Sequence, residues 1–130
     1  MTVQKTKINI AIIGAGETGT PLLKQLSASS FIQIVAVADV NQDTVGMRLA
    51  REQGIHTTQD FMEIANMGET VDIIIEVTGK TEVREQLRQA LYKTGNNHTV
   101  IMHEIIAILL MSLSQGELVQ IKHEEGLAYA

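Results

Sequence analysis

Three glycines at positions 14, 16 and 19 are spaced for one kind of chemistry, the holding of phosphate on backbone N–H groups. The stretch reads Gly14-Ala15-Gly16-Glu17-Thr18-Gly19 and follows the apolar run Ile8-Asn9-Ile10-Ala11-Ile12-Ile13. Gly14 permits a tight turn, Gly16 lets N–H groups approach a pyrophosphate, and Gly19 lets a helix pack closely on the strand before it. The helix N-terminus would add free N–H donors and a partial positive charge. Asp39 closes the next apolar run, twenty residues beyond Gly19. A carboxylate there accepts hydrogen bonds from adenosine ribose hydroxyls and repels a 2′-phosphate, which favours NAD over NADP. Asn41 and Arg48 nearby could still accommodate such a phosphate. The bland alternative is a turn that kept its shape without a ligand, with Asp39 as a cap beside Asn41 and Asp43.

Other residues could complete the site. Val40 and Asn41 continue the ribose side, and Thr78 and Gly79 end a later apolar run, where the nicotinamide-side ribose would lie. Lys80, next to them, could reach a phosphate or a substrate carboxylate, or stand as a solvated loop lysine. His103 and Glu104 end the last apolar run and could serve as a proton donor and its orienting carboxylate. Their bland reading is that Glu104 caps the following helix while His103 bonds locally. Lys80, His103 and Glu104 are therefore the candidate catalytic residues. Glu17 is awkward: its carboxylate suits the helix dipole but would repel a nearby pyrophosphate. His56, His98 and His123 show no metal-ligand spacing, and Glu124-Glu125 reads as a solvated face.

These residues need a scaffold that brings strand ends to one edge. Apolar runs at residues 7–13, 32–38, 55–57, 71–77 and 99–103 alternate with helical patterns. Near-continuous Val/Ile runs suit strands covered on both faces. The expected fold is α/β, a single Rossmann-like domain with a doubly wound, mainly parallel sheet. Right-handed crossovers then place the glycine turn at the C-terminal edge of that sheet.

Helical patterns fall at 17–27, with Leu22, Leu23 and Leu26 inward, and at 43–53, ended by Gly54. A third is capped by Thr57 or Thr58 and turns Phe61, Ile64 and Ala65 inward. A fourth starts after Thr81, buries Val83, Leu87, Ala90 and Leu91, and ends at Gly95. Pro21 falls late in the first turn of its helix or just beyond it, where its missing N–H threatens a helix bond.

The fifth pattern, Ile105-Ile106-Ala107-Ile108-Leu109-Leu110-Met111-Ser112-Leu113, is apolar around most of its circumference. Such a helix needs cover on two sides. The sheet supplies one, and a second copy of the chain is the expected other. That gives a homodimer through residues 105–113, helped by 116–121; a tail folding back over the helix is the alternative. The expected division is a dinucleotide-binding domain over 1–116 and a tail over 117–130 that joins the dimer interface.

At 130 residues the chain is long enough for one cored domain. A net charge of −5, no Trp and only two Phe and two Tyr leave neither a basic footprint nor a stacking platform for nucleic acid. The lack of cysteine excludes disulfides, a thiolate zinc site and a cysteine nucleophile. Residues 105–111, the longest apolar stretch, fall far short of a membrane span. The polar start at 1–7 runs directly into a strand and is not a signal-peptide pattern. Together these features read as a soluble, cytoplasmic protein.

Four stretches carry a family resemblance: residues 8–19, Val35-Ala36-Val37-Ala38-Asp39, Gly54-Ile55-His56-Thr57-Thr58-Gln59-Asp60-Phe61 and Val71-Asp72-Ile73-Ile74-Ile75-Glu76-Val77-Thr78-Gly79. Over about residues 7 to 104 the chain resembles the N-terminal NAD(P)-binding domain of Gfo/Idh/MocA oxidoreductases. Dihydrodipicolinate reductases and aspartate or homoserine dehydrogenases have a similar first half. The resemblance implies dinucleotide binding but no particular substrate. Where that family has a Glu-Lys-Pro motif ending its fifth strand, this chain has His103-Glu104-Ile105, so the lysine does not carry over. The family's second domain, which binds substrate, also has no counterpart in the 26 residues after Glu104. The leading expectation is an NAD(H)-binding module that responds to the nucleotide or binds a protein partner. A small oxidoreductase completed across a dimer interface, with His103, Glu104 and Lys80 facing a neighbour's nicotinamide, is the second. A structural subunit with a vestigial site is the third.

Overall fold

Alternation along the first strand decides what each side of the sheet carries. The computed structural model describes residues 5–16 and 18–120. In chain order it runs β1 (Ile8–Ile13), α1 (Gly19–Ser27), β2 (Ile32–Ala38), α2 (Val45–Glu52), β3 (Thr57–Thr58) and α3 (Phe61–Ala65). A short 3-10 turn, Gly68–Thr70, leads to β4 (Ile73–Glu76), α4 (Thr81–Lys93), β5 (Val100–His103) and α5 (Glu104–Gln115). The strands form one five-stranded sheet in the order β3-β2-β1-β4-β5, and every pairing is parallel.

Ile10 and Ile12 of β1 pack in one core with Leu22 and Leu23 of α1, Met47 and Ala50 of α2, and Ala107 and Met111 of α5. Ala11 and Ile13 belong to the other, with Ile64 and Ala65 of α3 and Val83 and Leu87 of α4. Three helices thus cover one face and two the other, which is the doubly wound arrangement expected. Each fully buried Ile or Leu contributes roughly 1.5–3 kcal/mol, and the central strand carries Ile12 with no exposed surface.

Local chemistry sets the element ends, with three corrections. The first helix begins at Gly19 rather than at residue 17. Pro21 is therefore its third residue, among the N-terminal positions whose N–H groups find no partner within the helix, and it costs no helix bond. The cap of α3 is Asp60, whose side chain accepts the Met62 N–H at 2.9 Å. Thr57 and Thr58 instead form β3, because their backbones pair with Val37 and Ala38. Lastly, Glu104 is not a cap. His103 holds that position in α5 without a side-chain cap bond, and Glu104 is the first helical residue, buried at 2% exposure.

Gly54 and Gly95 do end α2 and α4, at φ +76° and +70°. Behind each, a pair of returning N–H bonds satisfies the last carbonyls, from Gly54 and Ile55 in one case and Gly95 and Asn96 in the other.

α5 buries Glu104, Ala107, Ile108 and Met111 and leaves Ile105, Ile106, Leu109, Leu110 and Leu113 exposed. The chain after Gly116 does turn back, with the Val119 N–H donating to Ser112 Oγ at 2.9 Å. Its described part, as far as residue 120, leaves the outer face open, with Leu109 and Leu110 49% and 45% exposed. Residue 121, the end of the expected contact strip, lies outside the described residues, as do His123, Glu124 and Glu125.

Candidate functional site

Two of the three glycines in the turn have no space for a side chain. Gly14 has φ +105°, and a Cβ there would stand 3.1 Å from the Val77 carbonyl carbon and 3.2 Å from Thr78 N. At Gly19 a Cβ would lie 1.8 Å from the Gly14 carbonyl oxygen, so α1 starts hard against the turn it follows. Gly16 differs: a Cβ there meets nothing within 4 Å. The fold demands the first and third glycines, while the second keeps open the space in front of the turn. Gly46, at the start of α2, is a further close approach that sequence reasoning missed. A Cβ there would stand 2.6 Å from Thr20 Oγ1 and 2.7 Å from the Ala15 carbonyl oxygen. Thr20 Oγ1 donates to that same carbonyl at 2.9 Å. Thr18 sits at the N-cap of α1 with no side-chain cap bond. Glu17, and with it the expected clash of its carboxylate, lies outside the described residues.

Asp39 follows β2 and reaches across to this turn. Its Oδ2 accepts the Ala15 N–H at 2.7 Å and its Oδ1 the Asn41 N–H at 2.9 Å. The residue thus closes a local turn and also faces the glycine loop. A carboxylate offers about four lone-pair directions, so two bonds leave acceptor capacity for ribose hydroxyls. The Asn41 side chain serves the local turn, accepting the Asp43 N–H at 3.0 Å. Val40 projects at 75% exposure.

Between Asp39 and the end of β4 opens a crevice of about 370 Å³. Gly14, Gly16, Thr18, Asp39 and Val40 line one part of it, with Gln59 and Phe61; Val77, Thr78, Lys80, Glu82, Val83 and Gln86 line the rest. It lies where β2 and β4 leave β1 in opposite directions, the topological switch point at which open parallel sheets bind ligands. Gly79, at φ +74°, turns the chain from β4 toward α4. Lys80 takes the N-cap position of α4, and its N–H donates to Thr78 Oγ1 at 3.1 Å.

His103 and Glu104 do not line this crevice. The register of β4 and β5 sets His103 beside Glu76, and Arg88 Nη2 lies 3.2 Å from its Nε2. Burial, and then the Arg84 and Arg88 guanidiniums, hold the imidazole below its ordinary pKa. A histidine kept neutral in this way is a poor proton donor at neutral pH. Of the three candidate catalytic residues, only Lys80 faces the crevice.

Sequence reasoning also missed two buried charged residues at this edge, Glu76 at 3% exposure and Arg84 at 7%. Burial pushes the Glu76 carboxyl up, against the opposing pull of its bonds to Thr78 and of Arg84. A related signal is present at Glu76, an acid set inside the apolar run 71–77, one residue short of its end. Arg84 carried none, standing among the ordinary helix charges Glu82, Glu85 and Arg88. No group of three or more His, Asp or Glu able to hold a metal ion occurs among the described residues, and none of their helices is long and apolar enough to cross a membrane.

A parallel sheet of this order, a glycine turn with its middle position open and an acid facing it from β2 define a Rossmann-type dinucleotide-binding domain. Residues 14–122 match the family described as the NAD-binding domain of homoserine dehydrogenase, and the chain belongs to that family. A 75-residue stretch is 35% identical to the acetaldehyde dehydrogenase of Desulfitobacterium hafniense, covering 57% of this chain and 25% of that enzyme. Homoserine dehydrogenase from S. aureus superposes with a TM-score of 0.59 at 22% identity, over 85% of this chain and 31% of that one. GenD2 from gentamicin A biosynthesis, crystallised with NAD, gives 0.50 at 20% identity over 75% and 34%. The chain thus matches about a quarter to a third of the length of these larger proteins. The resemblance to oxidoreductase cofactor domains is borne out, and NAD is the cofactor that the family implies.

Proposed function

We propose that the chain binds NAD(H) across the crevice and acts as a nucleotide-responsive or partner-binding module. The adenosine ribose rests on Asp39, with Val40 and Asn41 alongside. The pyrophosphate lies before Gly14, Ala15, Gly16, Thr18 and the start of α1 at Gly19, and the nicotinamide half lies against Thr78 and Gly79. The observation that carries this is the open Gly16 facing a crevice whose other landmark is the Asp39 carboxylate. NAD supplies a hydride-accepting ring when bound; the chain's own residues bind and orient it. His103 and Glu104 lie outside the crevice, so the described residues favour a binding role over a self-contained catalytic one. Calorimetric titration of NAD, NADH, NADP and NADPH tests the proposal. Micromolar binding of an NAD form, abolished by Gly16→Val and relaxed toward NADP by Asp39→Ala, is expected. No binding of any of the four would sink it.

A second reading, an NAD-dependent oxidoreductase completed by a neighbouring surface, is supported by Lys80 at the nicotinamide side of the crevice. It requires substrate-dependent oxidation of NADH that Lys80→Ala removes. The neighbouring surface in either reading is a second copy of the chain, docked through Ile105, Ile106, Leu109, Leu110 and Leu113, an apolar face without a charged residue. The cysteine-free composition supports a cytoplasmic setting.

A further inference from the structure

The wall of the crevice beyond β4 is held from beneath by a buried acid. Glu76, the last residue of β4, pairs with Ile13 at the end of β1 and with His103 at the end of β5. Its Oε1 accepts both the Thr78 N–H, at 3.1 Å, and the Thr78 hydroxyl. The same hydroxyl oxygen accepts the Lys80 N–H at 3.1 Å. One carboxylate oxygen therefore organises three consecutive features of the connection: the Thr78 backbone, the Thr78 side chain and, through it, the start of α4 at Lys80. Val77 and Thr78 also press on Gly14 from this side.

Burying an acid among apolar strand residues costs free energy that only hydrogen bonds and pairing offset, and a hydrophobic residue could have closed β4 without that cost. Arg84 from α4 and Glu104 from α5 act on the same carboxyl with opposite sign.

We infer that Glu76 is a positioning residue for dinucleotide binding, which shapes the nicotinamide half of the crevice through Thr78 and leaves the adenosine half untouched. The inference rests on the proposed NAD site. Asp39 lies on the β2 side of β1 and the 77–80 connection on the β4 side, so a ligand that fills only the adenosine half meets that connection only indirectly, where Val77 and Thr78 back Gly14.

NAD and AMP titrated into the wild type, Glu76→Gln, Thr78→Ala and the double variant provide the test. Glu76→Gln should weaken NAD about tenfold and AMP less than twofold. Because Glu76 acts through Thr78, the double variant should bind NAD no more weakly than the worse single variant, a non-additivity expected of coupled neighbours. Equal losses of NAD and AMP would make Glu76 merely structural and overturn the inference. So would unchanged NAD affinity, or losses that multiply in the double variant. Wild type that binds neither ligand would overturn the proposed function itself, a result distinct from any of these. Should Glu76→Gln not fold, Glu76→Asp keeps the charge beside Arg84 while drawing the oxygen back from Thr78, and it meets the same criteria.

Discussion

Gly16 and Gly19 stand three residues apart and should fail in opposite ways. A methyl group at Gly19 would occupy the Gly14 carbonyl oxygen, at 1.8 Å. Gly19→Ala should therefore cost about 3 kcal/mol or more in denaturant unfolding. Gly16→Ala adds its methyl to open space; unfolding should shift by less than about 0.5 kcal/mol, while calorimetry shows NAD affinity falling. The glycine pattern made all three positions and their separate jobs legible in the sequence, but not the group that Gly19 meets, since that depends on where the Gly14 carbonyl points. Asp39 was legible because an acid ending an apolar run is conspicuous. Glu76 is visible too, but its role depends on the bonds it accepts from Thr78, which exist only once the connection after the fourth strand has folded back on it. Gly46 could not be found from sequence, since its neighbours Thr20 and Ala15 come close only after α2 has docked.

At the scale of elements, the strands and the apolar stripes were readable because parallel strands buried on both faces leave long Val/Ile runs. The ends were less so, where several polar residues compete for one cap. Thr57, Thr58 and Asp60 all precede α3, and the pairing of β3 with β2 takes the first two out of contention. Asp60→Ala should then lower stability by about 1 kcal/mol, read as a fall in Tm, whereas Thr57→Ala should not show the loss of a helix cap. The apolar circumference of α5 was legible too, and its occupancy was not. Sequence pattern shows that a face is apolar, while the distance from the tail to that face depends on the turn at Gly116. Charges placed there, as in Leu109→Glu with Leu113→Glu, should leave a monomer by light scattering with NAD affinity unchanged. Wild type that is already monomeric would remove this helix as a self-docking surface.

On the scale of the whole molecule the two edges of the sheet do different work. The C-terminal edge carries the crevice, and the N-terminal edge is tied by Asp72. Its carboxylate meets Lys5 Nζ at 2.8 Å, the Asn9 N–H at 2.8 Å and His98 Nε2 at 2.6 Å. Lys5 foremost, then the Asn9 N–H and His98, hold that carboxyl well below the usual carboxylate range. A depressed folded pKa gives stability that is present above the unfolded value of about 3.9 and lost as pH falls through the folded one. Stability should accordingly decline below about pH 4, and Asp72→Asn should flatten that decline. At neutral pH the variant should lose about 1 kcal/mol, an amount moderated by solvent screening of the exposed Lys5. Its affinity for NAD should not change.

The strand order has a dynamic consequence as well. β1 is paired on both sides, while β3 is a two-residue edge, and the Asp39 N–H is held by the Thr58 carbonyl of that edge at 3.1 Å. In hydrogen–deuterium exchange the amides of Ile10 to Ile13 should open only with global unfolding, and that of Asp39 far sooner. The adenosine half of the site is thus built beside a two-residue edge of the sheet. Added NAD should slow exchange most at Asp39.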